Sequence, residues 1–171
     1  GGDLDDENAI RYLKDFATDT FCLRVNEMTE EKYRDTDVLN NDIKSVYQHL
    51  NYYYPDIVIP PTYLYISGID YNVPSVMIDE RGVVIALDFY LSNEDGIYDY
   101  VGMPRFRSLR CNPSYITRDL AESIYLGYIE RPQPQGDVLT EMIKSGKRLY
   151  FIEAMNPLCL TLSCWVILRN R

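Results

Sequence analysis

Val83-Val84-Ile85-Ala86-Leu87-Asp88-Phe89-Tyr90-Leu91 is the stretch whose pattern decides the fold class. Successive side chains of a β-strand point to opposite faces, so Val83, Ile85, Leu87, Phe89 and Leu91 make one side wholly apolar. Val84, Ala86, Asp88 and Tyr90 make the other side mixed, and this reading places Asp88 away from the core. Just upstream, Glu80-Arg81-Gly82 suits a hairpin turn with a bulge, which makes Ser75 to Asp79 the partner strand. Tyr63, Leu64, Tyr65 and Ile66 form a third run rich in β-branched and aromatic residues. An apolar sheet face needs a cover, and the segments on either side change to helical period. The expected class is α+β, a short, mainly antiparallel sheet with helices packed against one face.

Working outward, Ile10, Leu13, Phe16 and Ala17 recur at helical spacing behind Asp5-Asp6-Glu7, whose charges suit the positive end of a helix. This predicts a helix over about Glu7 to Thr18. Leu39, Ile43, Val46, Tyr47 and Leu50 predict a second, which stops before Pro55 because a residue preceding proline avoids the helical region. His49 lies off that stripe beside Asp42 and Ser45, and reads as a partly solvated imidazole, since a base needs a placed partner. Asn112-Pro113 pairs an amide cap with proline at the first helical position, followed by Ile116, Leu120 and Ile124 on one face and Gly127 as the stop. Gly136-Asp137 opens a last helical segment carrying Val138, Leu139, Met142, Ile143, Leu149, Tyr150 and Ile152. The proline-rich piece Arg131 to Gln135 is a short connector, and no internal repeat is present.

Composition narrows the function. The 171 residues carry 17 Lys and Arg against 26 Asp and Glu, a net charge of -9, so the phosphate neutralisation that nucleic-acid binding requires has no source. One histidine and four cysteines without a CxxC pair exclude the usual zinc shells, and no metal or other cofactor is expected. No run approaches the ~20 apolar residues of a membrane span; the longest, Leu158 to Leu168, is interrupted by Thr161 and Ser163. The chain starts Gly1-Gly2-Asp3 without methionine, which reads as the result of upstream removal. Residues 1–6 form an acidic lead, either a tether to an anchor or simply a solvated approach to the first helix, ahead of one domain over 7–157.

Tyr65-Ile66-Ser67-Gly68-Ile69-Asp70-Tyr71, then Pro74-Ser75-Val76, Ile78-Asp79, Gly82 and Ile85 to Leu91, resemble the GldB-type gliding-motility lipoproteins. Met103-Pro104, Pro113-Ser114-Tyr115-Ile116, Asp119 and Ala121-Glu122 are similar to that family's middle section. Met142-Ile143 and Gly146-Lys147-Arg148-Leu149-Tyr150-Phe151 are similar to a later helix, so the resemblance spans roughly Tyr47 to Asn156. It implies an exported, lipid-anchored cell-envelope protein, facing the periplasm or the outside. The implied partners are proteins of the envelope or of the gliding and secretion machinery, with membrane contact only through a removed N-terminal lipid anchor.

The resemblance extends to zinc-peptidase-like proteins whose helix carries H-E-x-x-H, and so implies an incomplete zincin-like architecture. Here that helix reads Ala121-Glu122-Ser123-Ile124-Tyr125. Glu stands in the base position, but Ala and Tyr replace both imidazoles, so no bound water can be activated by that route. The expectation is therefore a non-catalytic interaction or assembly component. Its first alternative is a zinc-independent or degenerate peptidase-like hydrolase using Asp88, Glu122 and Tyr125, which needs those side chains to face one pocket; Asp70 and Asp79, near strand ends, are further acids that such a site would gather. Its second is an envelope carbohydrate-binding module, in which several of the sixteen tyrosines, Tyr52-Tyr53-Tyr54 among them, form one flat platform. Asn93-Glu94-Asp95-Gly96 with Tyr98 and Asp99 is superficially like a calcium loop, but lacks the alternating ligands and closing Glu of an EF-hand.

From Leu158 the resemblance stops. Read from the third base of each codon, the segment Leu158 to Arg171 can spell Leu-Pro-Asp-Ser-Leu-Val-Leu-Gly-Tyr-Ser-Pro-Glu-Gln, which is similar to the family's continuation. The expectation is an out-of-frame tail on a truncated member, with Cys159, Cys164 and Trp165 serving as packing material. Surface bared by such a truncation would favour self-association.

Overall fold

The structure is a computed structural model and describes residues 7–93, 96–131 and 136–156. The acidic lead, Glu94 and Asp95 of the suspected calcium loop, and the tail from 158 to 171 with Cys159, Cys164 and Trp165 lie outside the described residues.

The stripe Leu39, Ile43, Val46, Tyr47 and Leu50 is buried along a helix of residues Asp37–Tyr53, called α3 here because two others precede it. Each such side chain removed from water is worth roughly 2 kcal/mol, so this face anchors the helical layer. Helix α1 spans Glu7–Thr18, and α2 spans Thr20–Lys32. Helix α2 is not among the elements expected from the sequence. Only Val25 and Thr29 of it are buried, too few to draw an apolar stripe; the local signal that does mark it is Asp19, whose carboxylate accepts the Cys22 N–H at 2.9 Å as an N-cap.

Strands β1 (Thr62–Tyr65), β2 (Val76–Asp79) and β3 (Gly82–Ala86) form one sheet in the order β1-β3-β2. The α+β class stands, and the sheet is mixed: β2 and β3 are an antiparallel hairpin, whereas β1 runs parallel to β3. Parallel pairing follows from the route of residues 66–75, which carry the chain past the position of β3 to the far edge before the hairpin returns. Asp79 accepts the Arg81 and Gly82 N–H groups in the turn, at 2.7 and 3.1 Å. Gly82 has φ +148°, and a Cβ there would sit 2.4 Å from the Pro61 carbonyl oxygen, so only glycine fits.

The quoted stretch does not remain a strand to its end. β3 stops at Ala86, and Leu87–Tyr90 tighten into a 3-10 turn in which all four residues are buried. Asp88, expected to leave the core side, is completely buried; the alternation that assigned it outward holds only while the backbone stays extended. Helix α2 closes over this turn, with Tyr33 donating to the Tyr90 carbonyl at 2.9 Å and Lys32 to that of Leu91 at 2.7 Å.

The polar loop that follows contains two single-turn helices, α4 (Ile97–Tyr100) and α5 (Arg105–Ser108). Asn112 caps a turn at Pro113–Tyr115 that leads into α6 (Ile116–Ile124). Instead of stopping at Gly127, the chain widens into a π turn over Tyr125–Ile129, where Gly127 lies against Ile78 of β2. Helix α7 (Val138–Met155) starts as expected at Asp137, which accepts the Thr140 N–H at 2.9 Å, and packs on α3 and α6.

Candidate functional site

The three acids and phenols singled out from the sequence do not meet. Asp88 is the centre of a structural knot. Its carboxylate accepts the Ser67 N–H at 3.1 Å, the Ser67 hydroxyl at 2.8 Å and the Ile69 N–H at 2.7 Å. To deliver these donors, Gly68 and Ile69 adopt φ of +75° and +59°. A left-handed conformation costs a side-chain-bearing residue about 1–2 kcal/mol, and is severe for a β-branched one, so the carboxylate holds Ile69 where it would not otherwise stay. Below it, Tyr98 donates to the Asp88 carbonyl at 2.9 Å and accepts the Leu91 N–H at 2.8 Å, tying α4 into the same knot. With three loop donors gathered on its carboxylate, Asp88 is placed to fix a loop.

Glu122 belongs to a different cluster on the outer side of α6, whose inner side buries Ile116, Leu120, Ala121 and Ile124. Beside it, Asp119 accepts from Arg110 and Arg118, each at 3.0 Å, and from the Tyr90 hydroxyl at 3.0 Å. Tyr90 also lies 2.9 Å from the Ser75 hydroxyl. Glu122 is 3.4 Å from Arg118 and 3.7 Å from Arg148. Of these groups, Ser75, Tyr90, Arg110, Asp119 and Glu122 line a cleft of about 350 Å³ together with Phe89, Phe106 and Arg107. Burial raises the Asp119 carboxyl above its ordinary value, outweighing Arg110 and Arg118. Burial also raises the Tyr90 phenol, which therefore stays a neutral donor. A carboxylate pair is thus present, Asp119 with Glu122 bridged by Arg118, but its oxygens are taken up by guanidinium groups. In the sequence Asp119 stands out only as a point of resemblance; its charge pattern with Arg118 and Glu122 on one helix is the available signal.

Tyr125 faces a third place. The C-terminal end of α3, the π turn and α7 enclose an open groove of about 660 Å³. Its apolar lining includes Ile129, Ile143, Phe151 and Met155, and its aromatic lining Tyr53, Tyr54, Tyr125 and Tyr150. Phe151 touches Tyr54 and Tyr125 at centroid distances of 5.9 and 5.4 Å, with rings inclined by 52° and 54°. Three cations, Arg131, Lys144 and Lys147, line it with one carboxylate, Glu130. Burial raises the Tyr125 phenol, with the Glu130 charge adding to the effect.

The remaining candidates serve their own surroundings. His49 is half-buried with Nδ1 2.7 Å from the Ser45 carbonyl. Asp70 accepts from Asn72 within its own turn, as Asp79 does within the hairpin. The rings of Tyr52 and Tyr53 stand at 88° to one another, so these two do not lie in one plane. Asn93 contacts Asp99 through its amide at 3.4 Å. Cys111 is buried beside Met103, and burial pushes its thiol up to about 11. Ala121 and Tyr125, which stand where H-E-x-x-H has its imidazoles, are both buried.

Fold and site together define a small α+β domain in which Asp88, Asp119 and Glu122 are engaged in hydrogen bonds and ion pairs, and in which aromatic and apolar side chains with three cations line a groove of about 660 Å³. The chain belongs to the gliding motility protein GldB family, whose model matches residues 4–161. The match begins well before Tyr47, where the resemblance read from the residues started. The family carries a lipoprotein designation, which points to a lipid-anchored protein of the cell envelope. No described helix is long and apolar enough to cross a membrane. Neither the curated proteins nor the solved structures give a significant match.

Proposed function

We propose that the chain works without catalysis, as an exported, lipid-anchored envelope component that holds a protein of the gliding or secretion machinery on the periplasmic or outer side. The observation that carries this reading is the groove between α3, the π turn and α7. It offers aromatic and aliphatic surface in a concavity of ligand-binding size. Within a chain of net charge -9 it is lined by three cations and one carboxylate. Its occupant on this reading is a partner segment with apolar residues along one side and carboxylates beside them. The hydrolase alternative receives less support, because Asp88, Glu122 and Tyr125 occupy a buried knot, a cleft and a groove respectively.

A photo-crosslinking residue at position 143 tests this in cells. Incorporation at Ile143 should give a discrete adduct with an envelope protein, and Lys147→Glu should weaken it severalfold. Labelling no stronger than from the exposed position of Val58 would remove the groove as the docking surface. Peptide cleavage by the purified chain that disappears in Glu122→Gln would replace the reading with the hydrolase.

A further inference from the structure

The first three turns of α7 are amphipathic in the reverse sense. Thr140, Lys144 and Arg148, four residues apart, lie on the half-buried side that faces the protein. Val138, Leu139, Met142, Ile143, Leu149 and Tyr150 are exposed, each by half of its surface or more. At about one hundred degrees per residue, this stripe lies nearly opposite Phe151, Ile152 and Met155, which make the buried side. Side chains this open leave on the order of 700 Å² of apolar surface in water. That exceeds the ~300–600 Å² of a typical monomer's largest patch and approaches the ~800 Å² that each partner buries in a stable interface.

Leu139, Met142, Gly146 and Leu149 follow the three-and-four spacing of a helix-pairing seam. Gly146 is the informative member. An interior glycine weakens a helix, and nothing lies within 4 Å of where its Cβ would be, so the isolated chain gains nothing from it. A second helix brought against the seam would use that gap. The flanking positions Val138, Ile143, Ser145 and Tyr150 carry no charge that would repel an identical helix or select a different one. Glu153, the next position in the series, ends the stripe. Lys144 and Arg148, on the far side of the helix, are half-buried against the protein and paired with Glu141 and Glu122, whereas a helix that lies in a lipid surface keeps its cations free for headgroups.

We propose that α7 pairs antiparallel with α7 of a second copy of this chain. Antiparallel pairing sets Leu139 against Leu149 of the other copy and Met142 into the gap at Gly146, and the two-fold axis repeats both contacts. Ile143 and Tyr150 belong to both surfaces, but Leu139, Met142, Gly146 and Leu149 do not line the groove, so substitutions at Met142 and Gly146 test this pairing apart from the partner reading above.

Sedimentation of the full chain over a wide concentration range decides it. A reversible dimer with micromolar dissociation is expected. Met142→Glu should leave a monomer with an unchanged melting temperature, since that side chain is 66% exposed in one copy. Gly146→Ala should raise the melting temperature of the monomer yet weaken the dimer at least tenfold, a split in sign that a merely structural glycine does not produce. A chain that stays monomeric throughout, or a dimer indifferent to Met142→Glu, overturns the proposal. So does a monomer that binds phosphatidylglycerol vesicles through Met142.

Discussion

Asp88 and Asp119 are both acids withdrawn from water, and they are held in opposite ways. Asp88 is satisfied by a loop: two N–H groups and one hydroxyl from Ser67 and Ile69, all neutral. Asp119 is satisfied by charge, with two guanidinium groups and the Tyr90 phenol around it. Loop donors have no other acceptor if Asp88 goes, because the conformation that presents them exists to reach it. An arginine such as Arg110, with nearly half of its side chain exposed, turns to water instead. The first acid determines whether residues 66–75 can pass from β1 to β2, and hence the parallel pairing; the second shapes the wall of a cleft.

The largest effect should therefore come from Asp88→Ala. It strands buried donors and releases Ile69 from its left-handed backbone, for a loss of about 4 kcal/mol in urea unfolding, with Asp88→Asn intermediate because one acceptor oxygen remains. Tyr98→Phe removes the hydroxyl that joins the Asp88 carbonyl to the Leu91 N–H, and should lose about 2 kcal/mol. An Asp88→Ala protein as stable as its parent would show that the knot does not order the crossover.

Asp119→Asn should cost less, about 1–2 kcal/mol near neutral pH, and its pH dependence sharpens the contrast. The folded-state pKa of Asp119 is raised above the ordinary carboxyl value of 3.8, so between 3.8 and that higher value the folded protein binds more protons than the unfolded one. The contribution of Asp119 is then fully present below 3.8 and falls as pH rises through the window. The deficit of Asp119→Asn should accordingly be largest in acid and shrink toward neutrality. A deficit that grows with pH would mean that Arg110 and Arg118 outweigh burial at this site.

The same two acids show what a sequence can disclose. Regular periodicity was enough for α3, whose five expected core residues are all buried, and for the starts of the 3-10 turn at Asn112 and of α7 at Asp137, where a cap acts within three residues. It was not enough for Asp88, whose partners lie 19 and 21 residues away and depend on a backbone that a β-branched residue disfavours. Leu87 to Tyr90 alternate in sequence yet are all buried, because the backbone tightens into a 3-10 turn there and two-sided alternation no longer applies. Helix α7 misleads in the converse way. Its apolar residues announce a helix correctly, but they do not say which of its two apolar sides this chain covers.

The smallest effect is expected at Glu122. Its ion pairs with Arg118 and Arg148 are long, at 3.4 and 3.7 Å, and its side chain keeps 26% of its surface in water, so Glu122→Gln should change stability by no more than about 0.5 kcal/mol. That small number bears on function. A glutamate retained only as half of a surface ion-pair network can be exchanged for its amide with little consequence. Its neighbour Asp119, three residues earlier on the same helix, cannot, because it is also the acceptor for the buried Tyr90. If Glu122→Gln instead proved as damaging as Asp119→Asn, the cleft would depend on the carboxylate pair as a unit, with the Arg118 bridge coupling the two acids strongly. A double-mutant cycle on Asp119 and Glu122, followed by urea unfolding, measures that coupling directly; the separate roles argued for the two acids require it to stay below about 0.5 kcal/mol.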